Sequence, residues 1–266
     1  MIHPTAIIDP KARISPDVVI GPFCVIGPNV TLAGGCVIGQ RVSMDWTRAS
    51  EGVKIGANTI IGGDPQVYGW KSVPSWVEIG PGAFINELSV VHRSAYEGGA
   101  TAVGPACYIM TQTHIAHDCI LGREVTLTSF AGFAGHVEVG DYAVIGGATA
   151  IHQFARIGTM AMVGGMSRIS QDVPPYFTVA GSPAQAHGLN LYALKKRGVK
   201  PAERLALKKA FHILARSGLL LAEALRVIEE TVEPLATVKN LVQFARSSKR
   251  GLTLGGGRES EMAGED

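Results

Sequence analysis

Aliphatic residues return at every sixth position over long stretches of this chain. One run is Ile8, Ile14, Ile20, Ile26, Leu32 and Ile38. A second is Val103, Ile109, Ile115, Leu121, Leu127, Phe133, Val139, Ile145, Ile151, Ile157, Val163 and Ile169. Ile55, Ile61, Ile79, Ile85 and Val91 keep fragments of the spacing between them. A fixed period of this kind constrains the fold more than any single motif. Four residues after each aliphatic stands a small or β-branched residue, and all four cysteines (Cys24, Cys36, Cys107, Cys119) fall at that place. Glycine often follows the aliphatic, as at Gly21, Gly104 and Gly146, where a tight turn calls for a residue without a Cβ. One large and one small inward residue per six predicts a triangular coil of three hexapeptides. Each short strand then pairs in parallel with its equivalent one coil away, ~4.8 Å distant. The fold class is thus an all-β parallel β-helix followed by a small C-terminal α-helical domain. Handedness does not follow from the spacing, since strand crossovers ordinarily favour the right hand.

The β-helix is expected over residues 1–189, with extruded loops near 43–52 (Met44, Asp45, Trp46, Arg48) and 63–76 (Asp64, Pro65, Gln66, Trp70, Lys71, Trp76). Loops on a rigid scaffold often carry function. The tryptophans in them either meet a partner or fold back on the prism. After Asn190 the period becomes helical. Pro201 opens a helix running through Ser217, with Gly218 at its end, and two more are expected over 220–230 and 234–247. The helical domain spans 190–250. The tail 251–266, with Gly255, Gly256 and Gly257, has the composition of a disordered segment.

A net charge of +2 gives no strong field for nucleic acid. No apolar run reaches the ~18 residues of a transmembrane helix. Met1-Ile2-His3-Pro4 has neither the basic nor the apolar region of a secretory signal. The expected location is therefore cytoplasmic, and the cysteines read as reduced, buried fillers.

The densest polar interruption of the repeat is Thr113-His114-Ile115-Ala116-His117-Asp118. Residues eighteen apart share a position on adjacent coils, so His117 should stack over Gly135 and Asp118 over His136, with His152 close to the same column. This cluster suits acyl transfer to a hydroxyl. A neutral imidazole removes the hydroxyl proton near neutral pH, and a glycine N–H beside it receives the oxyanion formed from a thioester. Asp118 orients the ring. No Ser or Cys nucleophile and no cofactor is required. Two other uses stand beside this one: a lone histidine on a β-helix is ordinarily a solvated residue, and several histidines together can bind zinc, as in a β-helical hydratase. The wider histidine spacing of such a site is absent, so no metal is expected.

The run His114-Ile115-Ala116-His117-Asp118-Cys119 resembles the UDP-N-acetylglucosamine O-acyltransferase family. So do Ala134-Gly135-His136-Val137, Ile151-His152-Gln153-Phe154 and Gln171-Asp172-Val173-Pro174-Pro175-Tyr176. The likeness continues through Gly188-Leu189-Asn190 and Leu194-Lys195-Lys196-Arg197-Gly198 and covers most of residues 1–252. It implies a left-handed coil and a homotrimer with active sites between subunits. The reaction would move an (R)-3-hydroxyacyl group from acyl carrier protein to the 3-hydroxyl of UDP-N-acetylglucosamine, in lipid A synthesis. By position, His117 is the base, Asp118 its partner and Gly135 the oxyanion donor. His114, His136, His152 and Gln153 line the cleft. Asn190, Lys196 and Arg197 approach the diphosphate. The acyl-chain ruler is Gly165, where a bulky side chain would shorten the groove and Gly leaves it open to a longer hydroxyacyl chain. Lys196 stands where the family has Arg. Val67 and Gly69 replace an acidic residue and a Lys that follow the equivalent of Gln66, leaving Lys71 as the nearest basic residue. That departure keeps a 3-amino sugar open as the acceptor. The related hexapeptide N-acyltransferase of the same pathway and a non-catalytic scaffold are the remaining alternatives.

Overall fold

A computed structural model describes residues 1–255. The aliphatic repeat fills a prism: Ile20, Ile26, Leu32, Ile38, Ile109, Ile115 and Ile145 are all fully buried. Most strands are two residues long, such as His114–Ile115 and Ile120–Leu121, because one residue points in, its neighbour points out, and the chain then turns a corner. Among the described residues the strands form three sheets of nine, eight and ten members. Pairing is parallel up to the last hairpin, where Phe177–Gly181 and Ala184–Leu189 run antiparallel. Ile115 stacks on Phe133 and Phe133 on Ile151, one coil apart each time. The four cysteine thiols are free and buried. Burial raises those of Cys107 and Cys119 to about 11 and about 12, so they stay protonated.

The corners revise the reading of the glycines. The left-handed conformation recurs every sixth residue, but on non-glycine residues: Gln112, Asp118, Glu124, Phe130, His136, Tyr142, Ala148, Phe154, Met160 and Met166. The glycine after each aliphatic serves close approach instead. A Cβ on Gly104 would lie 2.3 Å from the Gly122 oxygen, on the next coil. One corner of the prism carries Asp118, His136 and Phe154, a second Glu124, Tyr142 and Met160, and a third Gln112, Phe130, Ala148 and Met166.

Residues 43–52 do not leave the prism, contrary to expectation. Ser43–Met44 and Thr47–Ala49 are strands in register with Ile60–Ile61 and Val77–Ile79. Met44 and Ala49 are inward residues five positions apart instead of six, so this corner is merely one residue short. The shortening shifts the phase of everything after it. The chain does depart between Ile60–Gly63 and Trp76–Ile79. A second departure lies between Val90–His92 and Ala100–Val103 and was not expected. It adds six residues between Val91 and Val103, a whole period, so the aliphatic spacing passes over it unchanged.

Among the described residues four helices follow: α1 (Leu191–Lys196), α2 (Pro201–Arg216), α3 (Leu221–Thr231) and α4 (Ala236–Arg246). They pack on the last coil partly through Phe211, whose ring meets Phe177 at 4.9 Å. The segment from Gly251 does not begin a disordered tail. Leu252 and Thr253 are buried, and the Thr253 amide donates to the Asp172 carbonyl at 2.8 Å, extending the edge of the last coil. Residues 256–266 of the expected tail lie outside the described residues. No helix among the described residues is long and apolar enough to cross a membrane.

If close coil approach explains the glycines, Gly104→Ala should lower stability by about 1–3 kcal/mol through overpacking. Gly188→Ala, whose Cβ would meet nothing within 4 Å, should stay within about 1 kcal/mol of the parent. Thermal unfolding midpoints of the two variants check this; equal midpoints would contradict it.

Candidate active site

The first corner is where the polar residues converge. His117 follows Ile115 by two positions and so sits at the rim of its strand. Its Nδ1 lies 2.8 Å from Oδ2 of Asp118. An ionised carboxylate only accepts, so Nδ1 carries the proton and Nε2 keeps its lone pair. Asp118 adopts a φ of 61°, which aspartate tolerates better than most side chains. Its backbone N–H donates to Thr101 Oγ1 at 2.8 Å. Ser94 Oγ donates to Oδ1 and the Ala95 N–H to Oδ2. The carboxylate is thus held from three sides before any ligand arrives.

Gly135 is the neighbour of His117 one coil on, as the register of His114 with Gly132 requires. A Cβ there would lie 2.6 Å from Cε1 and 2.7 Å from Nε2 of His117. Any other residue would overlap the free ring nitrogen. Among the described residues no protein acceptor takes the Gly135 N–H. The His136 ring stands edge-on to His117 at 5.3 Å and stacks on Phe154 at 4.6 Å, and its Nε2 is 3.8 Å from Asp118 Oδ2. His117, Asp118 and His136 each place a donor atom within 4.8 Å of the others. A cation bridging all three would have to displace the His117 Nδ1 proton or the Ala95 contact, since both already occupy Oδ2.

His114 meets His92 at 5.2 Å. The Nε2 atoms of both are buried without a partner. Desolvation first, and then the neighbouring His92, pull the His114 pKa down, so His114 is neutral. His152 and Gln153 are exposed. Gln153 continues the column of His117 and Gly135 by one further coil, and His152 Nδ1 lies 3.1 Å from its carbonyl.

The remaining expected residues stand elsewhere on this chain. Asn190 caps α1 by accepting from Ala193 N, and its Nδ2 donates to Met160 O at 2.9 Å. Arg197 pairs with Glu124 at 2.5 Å and lies over Tyr142 at 3.9 Å, while Lys196 is beside Tyr192. The Asn190 and Arg197 contacts belong to the second corner, and the Lys196 contact stays within the first helix. Gly165 is at the third, where a Cβ would come within 3.2 Å of Gly147 O, a packing reason for glycine independent of any ligand.

Sequence reasoning missed the residues that support the site. Arg93 is buried and donates to Asp64 Oδ1 at 2.8 Å, to Val73 O at 2.7 Å and to Ser72 Oγ at 3.0 Å. Trp46 and Trp70 lie within 5 Å of its guanidinium, and Trp46 also meets Trp76 at 5.3 Å. These tryptophans fold back on the prism. An arginine next to a histidine at a break in the repeat was the available signal.

Residues 172–253 match the family model described as UDP-N-acetylglucosamine O-acyltransferase, domain 2, and residues 1–95 match one described as the GMPPB C-terminal domain. The acyl-[acyl-carrier-protein]–UDP-N-acetylglucosamine O-acyltransferase of Burkholderia lata is 43% identical over 257 residues, 94% of this chain and 98% of that protein. Among solved structures, the UDP-N-acetylglucosamine O-acyltransferase of Moraxella catarrhalis superposes with a TM-score of 0.91 at 37% identity, covering 95% of this chain and 99% of that one. The Acinetobacter baumannii relative gives 0.90 at 35% identity, again over 95% and 99%. The prism is accordingly a left-handed parallel β-helix. On identity and coverage together, the chain belongs to the UDP-N-acetylglucosamine O-acyltransferase family.

Proposed function

We propose that this protein transfers an (R)-3-hydroxyacyl group from acyl carrier protein to the 3-hydroxyl of UDP-N-acetylglucosamine, the first step of lipid A synthesis. We place it in the cytoplasm, which free, protonated cysteines suit. The observation that carries the reading is the lone-pair nitrogen of His117 lying over the one place where Gly135 has no Cβ. His117 Nε2 takes the sugar hydroxyl proton while the oxygen attacks the thioester carbonyl. The Gly135 N–H receives the oxyanion. Collapse expels the carrier thiolate, which takes the proton back from the imidazolium. Asp118 stabilises that imidazolium through Nδ1–H. No step in this sequence calls on a cofactor or a metal.

His136 and His114 border the acceptor in this reading, with His152 and Gln153 further along the same edge. Asn190, Lys196 and Arg197 sit at a different corner from His117, so for them to reach the diphosphate a neighbouring prism must bring its second corner to the first. This supports a homotrimer with shared sites. Within one chain the Asn190 amide is already engaged on both sides, which leaves Lys196 and Arg197, the latter paired with Glu124, as the cations of the set. Val67, Gly69 and Lys71 are exposed in the extruded loop.

His117→Ala should lower kcat by about 10²–10⁴ with unchanged circular dichroism, because His117 is not an inward residue. Near-parental turnover would rule out His117 as the base. Sedimentation should give the mass of three chains, and an active monomer would contradict the shared site. Gly165→Met should shift preference towards shorter acyl chains, each buried methylene lost costing about 0.8 kcal/mol. An unchanged ranking across a chain-length series would remove Gly165 as the ruler.

A further inference from the structure

Ser94 belongs to the six-residue insertion between Val90–His92 and Ala100–Val103 and is fully buried. Its hydroxyl is directed. The Tyr96 N–H donates to Oγ at 3.1 Å, and the Tyr96 carbonyl, the competing acceptor, is at 3.5 Å, so the hydroxyl proton goes to the much closer Asp118 Oδ1. The insertion is itself anchored. Ser75 Oγ donates to the Ser94 carbonyl at 2.6 Å, and Trp70 Nε1 to the Ala95 carbonyl at 2.9 Å. Arg93, the preceding residue, ties the same segment to Asp64, Ser72 and Val73.

A second observation concerns Gly99. The turn is made by Gly98, with φ 70°. Gly99 has no such conformation, yet a Cβ on it would lie 2.4 Å from Ser94 Oγ. The sequence leaves that space for the hydroxyl.

We propose that Ser94 is a positioning residue that holds the Asp118 carboxylate so that Oδ2 serves His117. Two imidazoles compete for that oxygen: His117 Nδ1 at 2.8 Å and His136 Nε2 at 3.8 Å. With Oδ1 pinned by Ser94 and Oδ2 braced by Ala95 N at 3.2 Å, rotation of the carboxylate towards His136 is blocked. Ser94 touches no reacting atom and acts through Asp118. The proposal rests on His117 being the base.

Ser94→Ala removes the donor and little volume. It should lower kcat about ten- to hundredfold, the scale of a misplaced catalytic group, with KM for both substrates within about twofold. In an Asp118→Ala background, Ser94→Ala should change kcat by less than about twofold, because nothing remains to position. Gly99→Ala, which keeps the hydroxyl and crowds it, carries the same expectations and decides alone if Ser94→Ala does not fold. Parental kcat in these variants, or an equal loss with and without Asp118, overturns the proposal while an inactive His117→Ala keeps the base. An active His117→Ala overturns both.

Discussion

Hydrogen bonds from one coil to the next, such as Ile120 N to Val137 O at 2.9 Å and Gly140 N to Ile157 O at 2.7 Å, fix which residue stands above which throughout the prism. Parallel pairing with a side-chain period of two leaves little freedom to slip, because a one-residue shift would turn every buried aliphatic outward. The glycines let the coils come close enough for this ladder. The position of His117 over Gly135, and of Asp118 beside His136, is a consequence of the same ladder. The site inherits its precision from the core and not from local turns.

That dependence explains what could be read from the sequence. Where coils are of regular length, counting by eighteen gives spatial neighbours, and it placed His117, Gly135, Asp118 and His136 together. Counting fails where the chain inserts or deletes residues. The five-residue step from Met44 to Ala49 looks like a loop because it changes the phase, although it stays in the prism. The insertion holding Ser94 leaves the phase unchanged because it is one whole period long, and only Glu97 at an aliphatic position marks it. The places that Ser94, Ala95 and Arg93 take around the site do not follow from counting. Asn190 and Arg197 depend on how the helical region meets the second corner, through Met160, Glu124 and Tyr142, and no sequence pattern fixes such contacts. The family resemblance supplied roles for them, but one chain alone does not bring them to His117.

The two insertions and the prism divide the work physically. The prism sets His117 and Gly135 against each other through the register of adjacent coils. The two insertions are tied to each other by buried Arg93 through Asp64, Ser72 and Val73, and the second of them holds the Asp118 carboxylate through Ser94 and Ala95. A buried arginine is costly unless fully paired, and Arg93 meets that condition with one carboxylate, one carbonyl and one hydroxyl.

The most direct measurement of the proposed chemistry is mass spectrometry of the products formed from a panel of 3-hydroxyacyl carrier thioesters and UDP-sugars. UDP-N-acetylglucosamine should gain one hydroxyacyl group, and mild alkali should release it, as for an ester at the 3-oxygen. An alkali-stable amide formed only with a 3-amino sugar, or no acyl transfer to any of the sugars, would contradict it.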